Sequence, residues 1–214
     1  VEIKMVKMGS GLEISVFDSI RPDTYTRALN ILAFSAFTAL GAHVCIYLPF
    51  TPVPITLQTF FVVLSGAFLG IKDGMLSQTV YVLAGLAGVP VFAGGASGPS
   101  VVFGPTAGYL AGFIAAPAVT ALLSRPACPP GLSSVTAWAL RRWRGVLPGF
   151  AVFSAGILTI YAAGFFHLIF ACGFTPAAAL EKGVLPFIPG DVIKSLSAAG
   201  LTAGLIPARR WPDD

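Results

Sequence analysis

Six stretches of this chain, near residues 27–48, 55–71, 74–92, 105–124, 146–172 and 186–207, are apolar for long enough to cross a bilayer. About 20 apolar residues span the hydrocarbon core as a helix, with tilt absorbing some of the variation in length. Water cannot be the solvent of such a chain. Charged residues make up 10% of its 214 positions and hydrophobic residues 56%, with a mean hydropathy of +0.84. A soluble domain keeps about 25% of its residues charged. The expected fold class is an all-α integral membrane protein, a compact bundle of six transmembrane helices.

Small residues recur at four-residue spacing: Gly66 and Gly70, then Gly104, Gly108 and Gly112, then Gly200 and Gly204. Such rows let helix backbones approach closely. Only Ile71, Lys72 and Asp73 separate the second and third stretches, which read as a tight helical hairpin. No internal repeat of useful length supports an inverted-repeat transporter. Cys45, Cys128 and Cys172 are scattered, without CxxC or CxxH spacing, and read as small apolar residues. His43 and His167 stand alone and read as helix-packing residues. No metal site or cofactor is expected, and no phosphate loop, nucleophile elbow or HExxH motif is present.

Positive charge sets the orientation, because Lys and Arg accumulate on the cytoplasmic side. With the N-terminus inside, the inner segments hold Lys4, Lys7, Arg21, Arg27, Lys72, Arg125, Arg141, Arg142, Arg144, Arg209 and Arg210. Only Lys182 lies outside, and Lys194 lies within a span. The formal net charge of +4 is thus a topology signal, and no nucleic-acid partner is expected. The organisation expected is a cytoplasmic segment over 1–26, a membrane domain over 27–207 and a cytoplasmic tail over 208–214. The chain opens on Val1, so part of residues 1–20 is read as a trimmed or appended start. That stretch has no cleavable-signal pattern. Residues 132–144 (LSSVTAWALRRWR) set Trp138 and Trp143 beside three arginines, as an amphipathic helix in the inner interface would.

Three outer connections have unusual composition. In 48–56 (LPFTPVPIT) the prolines forbid a helix and impose an extended loop. The Gly- and Pro-rich 91–106 (VFAGGASGPSVVFGPT) must fold back on itself, and 175–191 (TPAAALEKGVLPFIPGD) leads into the last helix. Irregular backbone near the membrane is tolerated where it lines a cavity, so these loops are read as capping one. Pro189 and Gly190 stop any preceding helix, which makes Asp191 the expected N-cap of the last one, with Lys194 one turn further in. A charge near a helix centre costs about 2.5–3.5 kcal/mol. At i, i+3 the two side chains share a face, and a ligand explains the pair better than capping and snorkelling alone. Thr56, Gln58, Thr59, Gln78, Tyr81, Thr106 and Tyr109 lie at matching depth or one or two turns below, and Phe60, Phe92, Phe103 and Phe187 supply apolar walls. An apolar pocket with a few polar groups suits a small organic molecule.

Four segments, TPVPITLQTFFVVLSGAFLG (51–70), LSQTVYVLAGLAGVPVFAGG (76–95), GPTAGYLAGF (104–113) and LPFIPGDVIK (185–194), together resemble the BioY family. These are the membrane-embedded, biotin-binding S-components of energy-coupling-factor (ECF) transporters. The resemblance covers most of residues 27–207 in the family's order and spacing. It implies a six-helix S-component with both termini cytoplasmic, in the bacterial cytoplasmic membrane. It also implies a biotin pocket near the outer face, covered by the connection between helices one and two. The family's PGDxxK motif falls on Gly190, Asp191 and Lys194, PITLQ on Thr56 and Gln58, LSQxxY on Gln78 and Tyr81, and PVFAGG on Phe92, Gly94 and Gly95. The partners implied are biotin, the bilayer, an ECF transmembrane coupling subunit and an ATPase pair. S-components often dock on the coupling subunit through an A-x-x-x-A pair on helix one. Here Ala33 is retained but Phe37 takes the second position, and Ser35 with Ala39 offers a shifted small face. The competing readings are an S-component for another vitamin and an intramembrane enzyme using Asp191 as acid or base with Lys194 tuning it. The second lacks a nucleophile, metal cluster or cofactor motif.

Overall fold

The computed structural model describes residues 24–124 and 136–205, with the backbone alone at 102, over 136–145 and at 204–205. Helix α1 runs over Thr24–His43 and is followed by a two-stranded antiparallel ribbon, Cys45–Ile46 (β1) and Ile55–Thr56 (β2). Then come α2 (Gln58–Leu86), α3 (Ala107–Leu123), α4 (Thr136–Phe170), α5 (Pro176–Gly183) and α6 (Ile188–Leu205). In the bundle α2 packs between α1 and α3, α3 packs on α4, and α4 packs on α6.

The first span ends at His43, five residues before the boundary expected at 48. Residues 45 and 46 leave the helix to pair with Thr56 and Ile55. The Leu57 amide then donates to the carbonyls of Gly41 (3.1 Å) and Val44 (3.2 Å), two groups that the end of a helix leaves without an internal partner. The proline-rich loop 48–56 is thereby folded back as the arc of the ribbon over the end of α1.

Helix α2 is interrupted at Gly70, whose φ of 81° and ψ of −171° belong to a region only glycine populates readily. The chain reverses there, giving two antiparallel arms, 58–69 and 71–86. Gln58 Nε2 reaches Tyr81 Oη across 23 positions, and Gln78 Nε2 reaches Ser65 Oγ at 3.4 Å. The hairpin expected between residues 55 and 92 is present, but its pivot is Gly70, and Ile71, Lys72 and Asp73 are helical. At its tip Asp73 accepts from Arg27 of α1 through Nε (2.9 Å) and Nη2 (2.6 Å). Replacing Gly70 with alanine forces a side chain onto this backbone, at a cost of about 1–3 kcal/mol. The expected result is a lower thermal midpoint in detergent, and an unchanged midpoint would remove Gly70 as the cause of the reversal.

The small-residue rows divide into packing and non-packing members. A Cβ on Gly66 would lie 2.4 Å from the Pro117 carbonyl oxygen of α3, and one on Gly112 would lie 2.8 Å from Ile160 Cα of α4. On Gly108 it would lie 2.7 Å from the Ala163 carbonyl oxygen. Gly70 instead makes the break, Gly104 lies before α3, and a Cβ on Gly200 would meet nothing within 4 Å. On α1, Ile31, Ser35, Thr38 and Ala42 form the buried stripe. Ser35 is only 9% exposed and Ala39 packs against the core, so the shifted Ser35–Ala39 face looks into the bundle, while Ala33 is half-buried and Phe37 exposed. Ser35 thus points away from the exposed side of α1, and α1 packs on α2.

The interfacial helix expected near 132–144 lies partly outside the described residues. From Thr136 the backbone is helical and runs directly into the span over Val146–Phe170. The connection 175–191 contains a helix that its composition concealed. Thr175 Oγ1 caps α5 by accepting from the Ala178 amide (3.3 Å), and Pro176 takes the first helical position, where its missing N–H is no loss. Among the described residues, Gln58–Leu86, Val146–Phe170 and Pro176–Ala203 are by length and composition apolar enough to cross a membrane, the first being the hairpin broken at Gly70 and the last joining α5 to α6, and Ala107–Leu123 is a shorter apolar helix.

Candidate functional site

A cavity of about 270 Å³ opens at the bundle end that carries the β1–β2 ribbon. Tyr47, Pro52, Val53 and Pro54 of the ribbon connection roof it, the loop before α3 contributes Ala93, Ala96 and Val101, and Phe113 and Ile160 lie among its apolar walls. Ligand sites of about 300–1,000 Å³ are usual for small organic molecules, so this one is compact. The roof is held on two sides. Thr51 Oγ1 donates to the Lys182 carbonyl at the end of α5 (2.6 Å), and Tyr47 Oη sits so close to Gly94 that a Cβ there would be 1.9 Å away.

Polar groups gather at one end. Asp191, in the first turn of α6, is 4% exposed. Its Oδ1 accepts from Lys194 Nζ (2.6 Å) and Thr59 Oγ1 (3.0 Å), and its Oδ2 accepts from Tyr161 Oη (2.5 Å). Lys194 Nζ also donates to the Thr56 carbonyl of β2 (2.6 Å) and to Thr59 Oγ1 (3.1 Å). An ammonium has three donors, and all three are used inside this cluster. A carboxylate has about four lone-pair sites, and three are taken. The charges cancel, and Asp191 retains room for one more donor. The cluster therefore offers the cavity an acceptor for an N–H or O–H, not a free cation. A second chain of bonds lies beside it: Thr56 Oγ1 donates to Gln58 Oε1 (3.0 Å), Gln58 Nε2 donates to Tyr81 Oη, and Tyr81 Oη donates to the Val91 carbonyl (3.2 Å).

The sequence pattern of the BioY family matches residues 17–210. The chain belongs to the BioY family. A biotin transporter BioY of Thermotoga maritima is 41% identical over 166 residues, covering 78% of this chain and 87% of that protein. One of Rhizobium etli is 36% identical over 194 residues, covering 86% and 98%. The crystal structure of the S-component for biotin from an ECF-type ABC transporter has the same fold, with a TM-score of 0.70 and 23% identity over 85% of this chain and 90% of that one. With its apolar helices, this BioY chain is a multi-pass membrane protein.

Of the residues that the BioY resemblance or the local chemistry singled out, Thr56, Gln58, Tyr81, Phe92, Tyr109, Phe187, Asp191 and Lys194 line the cavity. Four others do not. Gln78 is wholly buried between the arms of α2, where Nε2 donates to Ser77 Oγ (3.2 Å) and Ser65 Oγ (3.4 Å). Gly94 and Gly95 form a tight turn at φ of 67° and 77°, placing Ala93 and Ala96 at the wall instead. Gly190 lies within the first turn of α6. That helix opens at Ile188, because proline is tolerated in a first turn, so Asp191 is not its N-cap; its carboxylate bonds to side chains of neighbouring helices. Thr106 also lines the cavity, whereas Phe60 packs against the core and Phe103 is 87% exposed. His167 binds the Gly104 carbonyl through Nε2 (3.0 Å). Thr59 drew notice only as a polar residue, and Tyr161 drew none. The one available signal was a lone phenol inside the apolar run ILTIYAAGFF (157–166).

Proposed function

We propose that this BioY chain is the biotin-binding S-component of an uptake system. It captures biotin from the outer side of a bacterial cytoplasmic membrane, and a separate coupling subunit and ATPase pair energise transport. The chain crosses the membrane six times with both termini cytoplasmic, an orientation that the distribution of Lys and Arg favours. The observation that carries the reading is the charge-neutral Asp191–Lys194 cluster at one end of an aromatic-walled cavity beneath the ribbon. Biotin combines an apolar bicyclic ring, a ureido group with two N–H donors and a carboxylate on a flexible chain. The remaining acceptor site of Asp191 takes a ureido N–H, a charge-assisted bond. Tyr81, Phe92, Tyr109 and Phe187 pack against the rings, and Lys194 keeps the Asp191 charge balanced. The kinship with biotin transporters supports the choice of this ligand over other vitamins.

Isothermal titration of the detergent-solubilised protein with biotin is expected to give saturable binding with one site per chain. A rise in thermal midpoint with biotin concentration is expected alongside it. No heat and no thermal shift at micromolar biotin would overturn the assignment.

A further inference from the structure

We propose that Tyr161 is a positioning residue for ligand capture: its hydroxyl fixes the plane of the Asp191 carboxylate so that one acceptor site faces the cavity. The proposal rests on the biotin reading above and assigns a role to a residue on a different helix from the Asp–Lys pair.

The geometry singles Tyr161 out. Lys194 and Thr59 both act on Oδ1 of Asp191, so by themselves they leave the carboxylate free to turn about its own axis. Tyr161 is the donor to the other oxygen, at 2.5 Å, and it comes from α4, opposite the α2 residue Thr59. Donors on both oxygens from two helices hold the carboxylate plane. The tyrosine is itself fixed, being 7% exposed and packed against Phe187 with ring centroids 6.5 Å apart. Its single O–H is committed to Asp191, so toward a ligand it can only accept. A purely structural role fits poorly, because a buried ion pair stabilises a fold little and is often replaceable by apolar residues. Here the pair and its extra donor stand in a cavity wall, where orientation decides which ligand hydrogen is met.

The test is a double-mutant cycle on biotin affinity, using wild type, Tyr161→Phe, Asp191→Asn and the double variant, with titrations carried to millimolar biotin so that weak corners stay measurable. Phenylalanine keeps the ring and removes the donor. Tyr161→Phe is expected to weaken binding roughly tenfold in the wild-type background, the scale of a hydrogen bond to a charged group. In the Asp191→Asn background the same change is expected to cost less than about twofold, the limit within which independent effects add. An equal loss in both backgrounds, or no loss in the first, overturns the proposal. Unfolding of the ligand-free variants serves as the readout for packing: a fall in midpoint that accounts for the whole affinity loss also counts against it. Wild-type protein that fails to bind biotin would refute the functional assignment instead, so the two failures are distinct.

Discussion

Asp191→Asn is expected to lower biotin affinity at least tenfold, a loss of about 1.4 kcal/mol or more. Asparagine keeps one acceptor but sets an NH₂ group against either Tyr161 or the Lys194–Thr59 pair, all of which now donate to this side chain. It also leaves the Lys194 ammonium, whose side chain is 13% exposed, without its counter-charge. Truncating one partner of a buried, hydrogen-bonded charge pair costs about 2–5 kcal/mol in binding interfaces, much of it from the charge left unpaired. Lys194→Ala is expected to act in the same direction by stranding the carboxylate between Thr59 and Tyr161. Titration with biotin, together with unfolding of the ligand-free variants, separates lost binding from lost fold. Unchanged affinity in both variants would reduce the pair to a structural element of α6.

The largest stability effect is expected at Gly66. A Cβ there would lie 2.4 Å from the Pro117 carbonyl oxygen and 2.8 Å from Pro117 Cα, so the obstacle is backbone and cannot swing aside. Gly74 reaches the same proline from the other arm of α2, with a Cβ position 3.0 Å from Pro117 Cβ. Gly66→Val must therefore push α3 away from both arms, and overpacking costs about 1–3 kcal/mol even where side chains can adjust. The expected outcome is a sharp fall in folded, monodisperse protein after extraction. Gly200→Ala is the matched control: it is also a helical glycine, but its Cβ would meet nothing within 4 Å. Alanine there is expected to be neutral or stabilising by up to about 1 kcal/mol through helix propensity. Equal losses at both positions would show that close backbone approach is not what Gly66 supplies.

The contrast between these glycines marks how far the fold was legible in the chain. A shortage of charge and long apolar runs define the solvent, and most helices lie within about six residues of the stretches read from hydropathy, whereas α4 begins ten residues early and α5 matches no stretch. Four-residue spacing, however, says only that a backbone approach is sterically open. Whether Gly66 meets Pro117 while Gly200 meets nothing depends on which faces turn inward, and lipid-facing and core-facing surfaces are equally apolar here. The site shows the same division. Asp191 and Lys194 stood out because charge is rare in this chain, and Thr56 and Tyr109 because they lie beside irregular loops. Tyr161 meets Asp191 across 30 positions and Thr59 meets it across 132. Nothing local marks such pairs. Gln78 shows the opposite case: an intramembrane amide looked like a ligand contact, yet it lies off the cavity with its Nε2 on serine hydroxyls of the same hairpin and its Oε1 buried without a partner among the described residues.

The break at Gly70 also bears on the membrane around the protein. At 1.5 Å per residue the 58–69 arm is about 18 Å long and the 71–86 arm about 24 Å, whereas the hydrocarbon core is about 30 Å thick. As helix alone, neither arm matches that thickness. Lipid bordering this hairpin must compress toward it, at a fraction of a kcal/mol per Å of mismatch, or the tip must end below the headgroups. There the carboxylate of Asp73 has the guanidinium of Arg27 for company. That makes acyl-chain length a variable in how firmly the protein sits in its membrane.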